Sequence, residues 1–214
     1  MQLVEFPVVK EGLLLALPLC ILTIFLAFFV PLYVTILLVF LNLSVLCFFR
    51  NPRRTTPSLE GSVIAPADGK VVHIGKYIED QFLGEEVLKI SIFMSVFNVH
   101  INRIPTSGRI SDVLYRKGSF FSANLNKASL MNEQNALFLE TGDNKRILFI
   151  QIAGLIARRI VCWIKKGDDV TRGQRFGLIC FGSRMDVFLP LNTSIDVEIG
   201  QKVRGGETIL GYLS

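Results

Sequence analysis

Between Glu11 and Arg50 the chain runs for 38 residues without one Asp, Glu, Lys, Arg or His. Such a block cannot make the water-facing half of an ordinary domain. At about 1.5 Å per residue, one helix of that length would reach roughly 57 Å, against a hydrocarbon core of about 30 Å. One straight span is too long, whereas two spans of about 18 residues fit. Pro31 stands near the midpoint and biases Val30 away from helix, so a hairpin break is expected there; Pro18 is a candidate kink. A cleaved signal peptide is the rival reading, but the run is too long and no small-residue cleavage site follows it. The sequence therefore predicts a hydrophobic helical hairpin attached to a membrane.

Directly after the block comes Phe48-Phe49-Arg50-Asn51-Pro52-Arg53-Arg54, and Lys10 flanks the other end. Clustered arginines are favoured on the cytoplasmic side and meet anionic headgroups. This predicts a membrane hairpin and basic juxtamembrane segment over residues 1–54. Residues 55–214 then form a second domain on the cytoplasmic side of the cell (inner) membrane. The formal net charge of +5 suits an acidic surface. Nucleic acid is excluded as a partner, because the second domain has no Lys/Arg run longer than two and no zinc spacing. Cys20 and Cys47 lie in the apolar block, and Cys162 and Cys180 in apolar, strand-like runs. With no Cys-x-x-Cys or Cys/His cluster, no metal is expected and a reducing compartment fits.

From Ser62 onward the pattern is short strands and glycine turns. Val71–Ile74, Val87–Phe93, Leu137–Glu140 and Arg146–Ile152 read as strands, and Ser122–Glu133 is the one helical candidate. Gly167-Asp-Asp-Val170-Thr-Arg-Gly173-Gln-Arg-Phe176 and Gly200-Gln-Lys-Val203-Arg-Gly-Gly206-Glu-Thr-Ile209 share the form Gly-x-x-Val-x-x-Gly-x-x-apolar. Such units recur in compact barrel-sandwich folds of the lipoyl or biotinyl type. The expected fold is mainly β, a barrel-sandwich domain behind the hairpin. One functional reading is then a non-catalytic membrane-anchored scaffold or carrier. A carrier needs a lysine at an exposed hairpin tip, typically beside methionine, and no lysine adjoins Met185.

The competing reading is catalytic. Gly182-Ser183 stands between the apolar runs Phe176–Phe181 and Val187–Leu189, where a fixed hydroxyl could attack the carbonyl of its own preceding residue. Glycine there leaves that carbonyl open and allows strained angles, although an ordinary β-turn is the plain alternative. His73 sits on an alternating strand as a sheet residue. His100 lies in Phe93-Met-Ser-Val-Phe-Asn-Val-His-Ile-Asn-Arg-Ile-Pro105, where polar groups interrupt an apolar run at a cost unless they find partners. Asp68 lies in Ala65-Pro-Ala-Asp-Gly-Lys-Val71, whose Asp-Gly is otherwise a turn. Asp, His and Ser are the set that activates a hydroxyl nucleophile.

Ala65–Val71, Phe93–Pro105 and Phe181-Gly-Ser-Arg-Met-Asp186 resemble the signature stretches of phosphatidylserine decarboxylase in its short, membrane-anchored bacterial form. The Phe-Phe-Arg-x-Pro after the hairpin is similar too. The resemblance implies a proenzyme that cuts itself at Gly182-Ser183 into a β chain (1–182) and an α chain (183–214). These would stay together as a heterodimer, with a higher oligomer open. It implies a pyruvoyl cofactor made from Ser183, which forms a Schiff base with the serine amine of a membrane phospholipid. Phosphatidylserine would lose CO2 to give phosphatidylethanolamine; archaetidylserine is the variant substrate. His100 is implied as acid/base and Asp68 as its orienter. One departure stands out: longer members carry a second histidine where this chain has Arg103. His100 must then serve both cleavage and decarboxylation, or another group helps. Arg184 reads either as a partner for phosphate or carboxylate or as a solvated turn residue.

Overall fold

The computed structural model describes residues 7–119, 131–154, 160–180 and 182–214. The helical candidate Ser122–Glu133 lies outside them except at its last three positions. The chain divides into two compact units, Met1–Arg53 and Arg54–Ser214. In the first, α1 (Lys10–Leu26) and α2 (Leu32–Phe48) form an antiparallel hairpin. Pro31 is the N-cap of α2, where its fixed φ and missing N–H cost nothing, and Pro18 is accommodated inside α1. The open end is closed by the Val9 N–H on the Phe49 carbonyl (3.1 Å) and the Asn51 N–H on the Pro7 carbonyl (2.7 Å).

The hairpin is built inside out. Gly12, Ala16, Thr23 and Asn42 are buried, whereas Leu14, Phe28, Phe29 and Leu32 are exposed. A Cβ on Gly12 would collide with Phe49, so glycine lets the two ends meet. Asn42 Nδ2 donates to Thr23 Oγ1 and to the Leu38 carbonyl, both at 2.9 Å, and its Oδ1 accepts from Cys20 Sγ at 3.0 Å. Small residues and paired polar groups inside, apolar ones outside, is the packing of helices in lipid. Each helix has 17 residues, about 25 Å of rise, and among the described residues no helix is long and apolar enough to cross a membrane. The expected spans of about 18 residues are corrected to that extent.

The second unit is mainly β. Its largest sheet has eight antiparallel strands. In spatial order they are β13 (Lys202–Val203), β2 (Gly69–Glu79), β3 (Glu85–Met94), β11 (Ser183–Leu189), β7 (Arg146–Ile152), β6 (Gln134–Glu140), β5 (Gly108–Arg116) and β9 (Asp169–Val170). Two three-stranded sheets complete the sandwich. One joins β1 (Ser62–Ile64), β14 (Ile209–Tyr212) and β12 (Ser194–Ile195). The other joins β4 (Ile101–Arg103), β10 (Arg175–Ile179) and β8 (Ile160–Cys162). All four sequence-predicted strands fall within β2, β3, β6 and β7.

The sequence repeat sets the symmetry of this unit. Gly167, Gly173, Gly200 and Gly206 all have φ between 81° and 95°, which an L side chain resists, so each repeat is two turns around one inward valine. Val170 and Val203 are buried, and their two-residue strands close opposite edges of the eight-stranded sheet. The Gly167 N–H meets the Ile110 carbonyl as the Gly200 N–H meets the Val71 carbonyl. The Gly173 N–H meets Ile104 as the Gly206 N–H meets Ala65. Period-2 alternation gives the large sheet two buried faces. Ile90, Ile92, Met94, Phe149, Met185 and Val187 point into the main core; Val87, Leu148, Ile150 and Phe188 form a second cluster on the other face.

Candidate active site

β11 is central in the large sheet and all seven of its residues are buried. Ser183 is its first residue, paired with Met94 at the end of β3. It is therefore a strand residue rather than part of a turn. Gly182 just before it has φ +57°, and a Cβ there would meet nothing within 4 Å. Glycine is needed for the backbone angle, not for space: a left-handed L residue costs roughly 1–2 kcal/mol. Phe181 lies outside the described residues. Ser183 is 0% exposed and its hydroxyl donates to Met94 Sδ at 3.4 Å.

Behind that sulfur runs a line of buried amides on the inner face. Asn135 Nδ2 donates to Gln151 Oε1 (3.0 Å), Gln151 Nε2 to Asn102 Oδ1 (2.8 Å), and Asn102 Nδ2 to Met94 Sδ (3.7 Å). The polar interruption at Asn102 has thus found its partners. Sequence reasoning did not connect it to Gln151, although a glutamine inside the apolar run Arg146–Ile152 is the same signal.

His100 is buried at the turn that follows β3. Asn98 Oδ1 accepts from the Ser95 N–H and hydroxyl, and the chain doubles back so that the Ile179 N–H donates to the His100 carbonyl at 3.3 Å. The topology thereby sets His100 beside the end of β10, four positions before Ser183. Its Nδ1 lies 2.9 Å from the Asn98 carbonyl. A carbonyl oxygen only accepts, so Nδ1 carries the proton and, in the neutral ring, Nε2 carries the lone pair.

Asp68 is placed elsewhere. Its Oδ1 accepts from the Gly205 N–H at 2.8 Å and its Oδ2 from Arg54 Nη2 at 2.7 Å; Arg54 Nη1 also reaches Glu207 at 3.3 Å. Among the described residues no hydrogen bond joins Asp68 to His100, whose ring is oriented by Asn98 instead. Arg103, at the position of the missing histidine, is buried and donates from Nη1 to the Gly173 carbonyl at 2.9 Å. Its N–H meets the Pro66 carbonyl at 2.8 Å. The structure thus joins the Asp68 segment to Arg103 and the Gly205-Gly206 turn, and His100 to the end of β10.

On the opposite face of β11, Arg184 is buried, not a solvated turn residue. It grips Asp186 through Nε (2.7 Å) and Nη2 (3.0 Å), while Lys89 Nζ meets Asp186 at 3.0 Å. The Lys89 ammonium also lies 4.4 Å from the Tyr77 ring centroid. Burial pushes the Asp186 carboxyl up, but Arg184 and Lys89 outweigh it and hold the group below the usual carboxylate range. His73 is exposed on β2, outside the site; desolvation and then Lys89 lower its pKa, which favours the neutral ring. Among the described residues no cluster of His, Cys, Asp and Glu could hold a metal ion. Among the described residues, which include all four cysteines, there is no disulfide.

Comparison with known proteins gives one consistent answer. The family model for phosphatidylserine decarboxylase matches residues 41–211. A protein named phosphatidylserine decarboxylase proenzyme from Citrifermentans bemidjiense is 55% identical over 87% of this chain and 83% of its own length. Proteins of the same name from Geobacter sp. strain M21 and Syntrophus aciditrophicus are each 54% identical. They cover 88% and 77% of this chain, and 84% and 77% of their own lengths.

Proposed function

This chain belongs to the phosphatidylserine decarboxylase family, and we propose that it cuts itself between Gly182 and Ser183 to make the pyruvoyl group with which it decarboxylates its lipid. The observation that carries the reading is the left-handed Gly182 leading into a fully buried Ser183 at the first position of a central strand. Ser183 Oγ adds to the Gly182 carbonyl carbon, the Gly182–Ser183 amide breaks, and an ester takes its place. Loss of the Ser183 α-proton then expels the Gly182 carboxylate and leaves a dehydroalanine at 183. Its enamine tautomerises, and water replaces the nitrogen, which departs as ammonia. No outside oxidant or reductant is needed, and the residues at hand suffice, since the group is built from Ser183 itself.

Once formed, the pyruvoyl ketone supplies an electrophile that takes up the serine amine of phosphatidylserine as a Schiff base and draws off the electrons left by CO2. The remaining work belongs to the chain. His100, with Nδ1–H fixed on the Asn98 carbonyl, presents Nε2 as the base that accepts the Ser183 hydroxyl proton. In turnover the same nitrogen delivers a proton to the substrate α-carbon. Asp68 secures the 204–207 turn through Gly205 and Arg54 rather than orienting the imidazole. The β11 strand, hydrogen-bonded on both sides by β3 and β7, keeps the new chain end in place after the cut, which supports a lasting association of residues 1–182 with 183–214.

The hairpin serves as the anchor. Its apolar outer surface, its paired polar interior and the arginines at 50, 53 and 54 support embedding in a cytoplasmic leaflet with both ends on one side. A diacyl lipid is then present at high local concentration. Ser183→Ala tests the reading: the variant stays a single chain on a denaturing gel where the wild type gives two, and a cut variant overturns it.

A further inference from the structure

We infer that Met94 is a positioning residue for self-cleavage, its sulfur pinned by the amides of Asn102, Gln151 and Asn135 so that it aims the Ser183 hydroxyl. The inference rests on the self-cleavage reading above. Ser183 and Met94 face each other in register, both 0% exposed, and the thioether is the hydroxyl's hydrogen-bond partner among the described residues. Methionine has three rotatable side-chain bonds and by itself holds nothing still. Here Asn102 Nδ2 reaches the same sulfur, and the three amides behind it donate in one direction, each toward the next.

Three buried amides are an expensive way to fill a core that leucine would fill. Their arrangement makes sense as a tether. The line ends on the sulfur that accepts the hydrogen bond of the Ser183 hydroxyl, and it crosses β6, β7, β4 and β3 to reach it. A thioether is a weak acceptor. It can direct the O–H and so set where the oxygen lone pairs point, yet it yields the proton readily to a stronger base. After cleavage residue 183 has no hydroxyl, so this contact belongs to processing and not to turnover.

The test is the rate of self-cleavage of the full-length chain, followed by denaturing gel after synthesis in the presence of lipid vesicles. Turnover is measured separately per pyruvoyl group formed. Met94→Leu conserves volume and is expected to slow cleavage about tenfold, the scale of one lost hydrogen bond. Turnover per pyruvoyl group should fall by a clearly smaller factor. The triple variant Asn102→Leu, Gln151→Leu and Asn135→Leu replaces every member of the line by apolar groups, so no amide of the line loses its partner and stays buried. It should keep a thermal midpoint near the wild type and still cut about tenfold slower, because the sulfur has lost its tether. Either variant cutting within twofold of the wild type would overturn the inference. So would equal losses in cleavage and turnover, which mark a general structural defect. Ser183→Ala runs alongside: a wild type that stays uncut would remove the self-cleavage reading itself, and the inference with it.

Discussion

Asp186→Ala should be among the most damaging single substitutions outside the main hydrophobic core. The carboxylate is 0% exposed and receives Arg184 twice, at 2.7 and 3.0 Å, and Lys89 at 3.0 Å. Its removal takes the carboxylate away from two cations whose side chains are only 4% and 8% exposed. Breaking a buried pair from one side costs roughly 3–5 kcal/mol. At about 2–4 °C per kcal/mol for a chain of this size, the thermal midpoint should drop by about 6–20 °C. Lys89→Met should cost less, because Arg184 alone still satisfies the carboxylate with two bonds. The assay is thermal unfolding of the full chain in detergent at pH 7, read by circular dichroism of the strands. The sign of the pH dependence follows from the depressed Asp186 pKa. Its stabilisation is present above the unfolded value of about 4 and is lost as pH falls through the lower folded value. The gap between wild type and Asp186→Ala should therefore narrow below about pH 4. A drop under about 2 °C at pH 7, or a Lys89→Met penalty equal to that of Asp186→Ala, would refute the reasoning.

His100→Ala should lower decarboxylation by at least about 10²-fold, the usual scale for losing a positioned acid or base, and should slow cleavage as well. Normal processing in that variant would separate the two roles, normal turnover would remove His100 from the chemistry, and His73→Ala should change neither. Deleting residues 1–49 should give a soluble chain that still cuts itself but turns over lipid in vesicles poorly, as measured against the same lipid dispersed in detergent. Failure of the truncated chain to fold or cut would make the hairpin part of the catalytic core.

Much of this was legible in the chain. The glycine repeat at 167–176 and 200–209 announced two matched turns, because only glycine sits easily at those positive φ angles. Pro31 announced the hairpin break, since proline is disfavoured in a helix interior and favoured at its start. Ser183 stood out in the sequence as a candidate nucleophile but not as a strand residue, because the apolar runs on either side hide where β11 begins. The pairing of Arg184 with Asp186 could have been read, since residues two apart in a strand share a face. Asp68 could not have been assigned from spacing. Its partners, Arg54 and Gly205, are chosen by how the two ends of the unit meet. The same holds for Asn102 and Gln151, which come together only when β4 is laid across β7.

The most direct test is the mass of the purified wild-type protein under denaturing conditions. The account predicts two species: a 182-residue chain that keeps the hairpin, and a 32-residue chain from position 183 onward of about 3.6 kDa by its share of the 24.0 kDa total. The smaller species should be lighter by one ammonia than the serine-ended peptide and blocked to N-terminal sequencing, because its first residue carries a ketone in place of an amine. A single species at 24.0 kDa, or a small chain that begins with an ordinary serine, would contradict it.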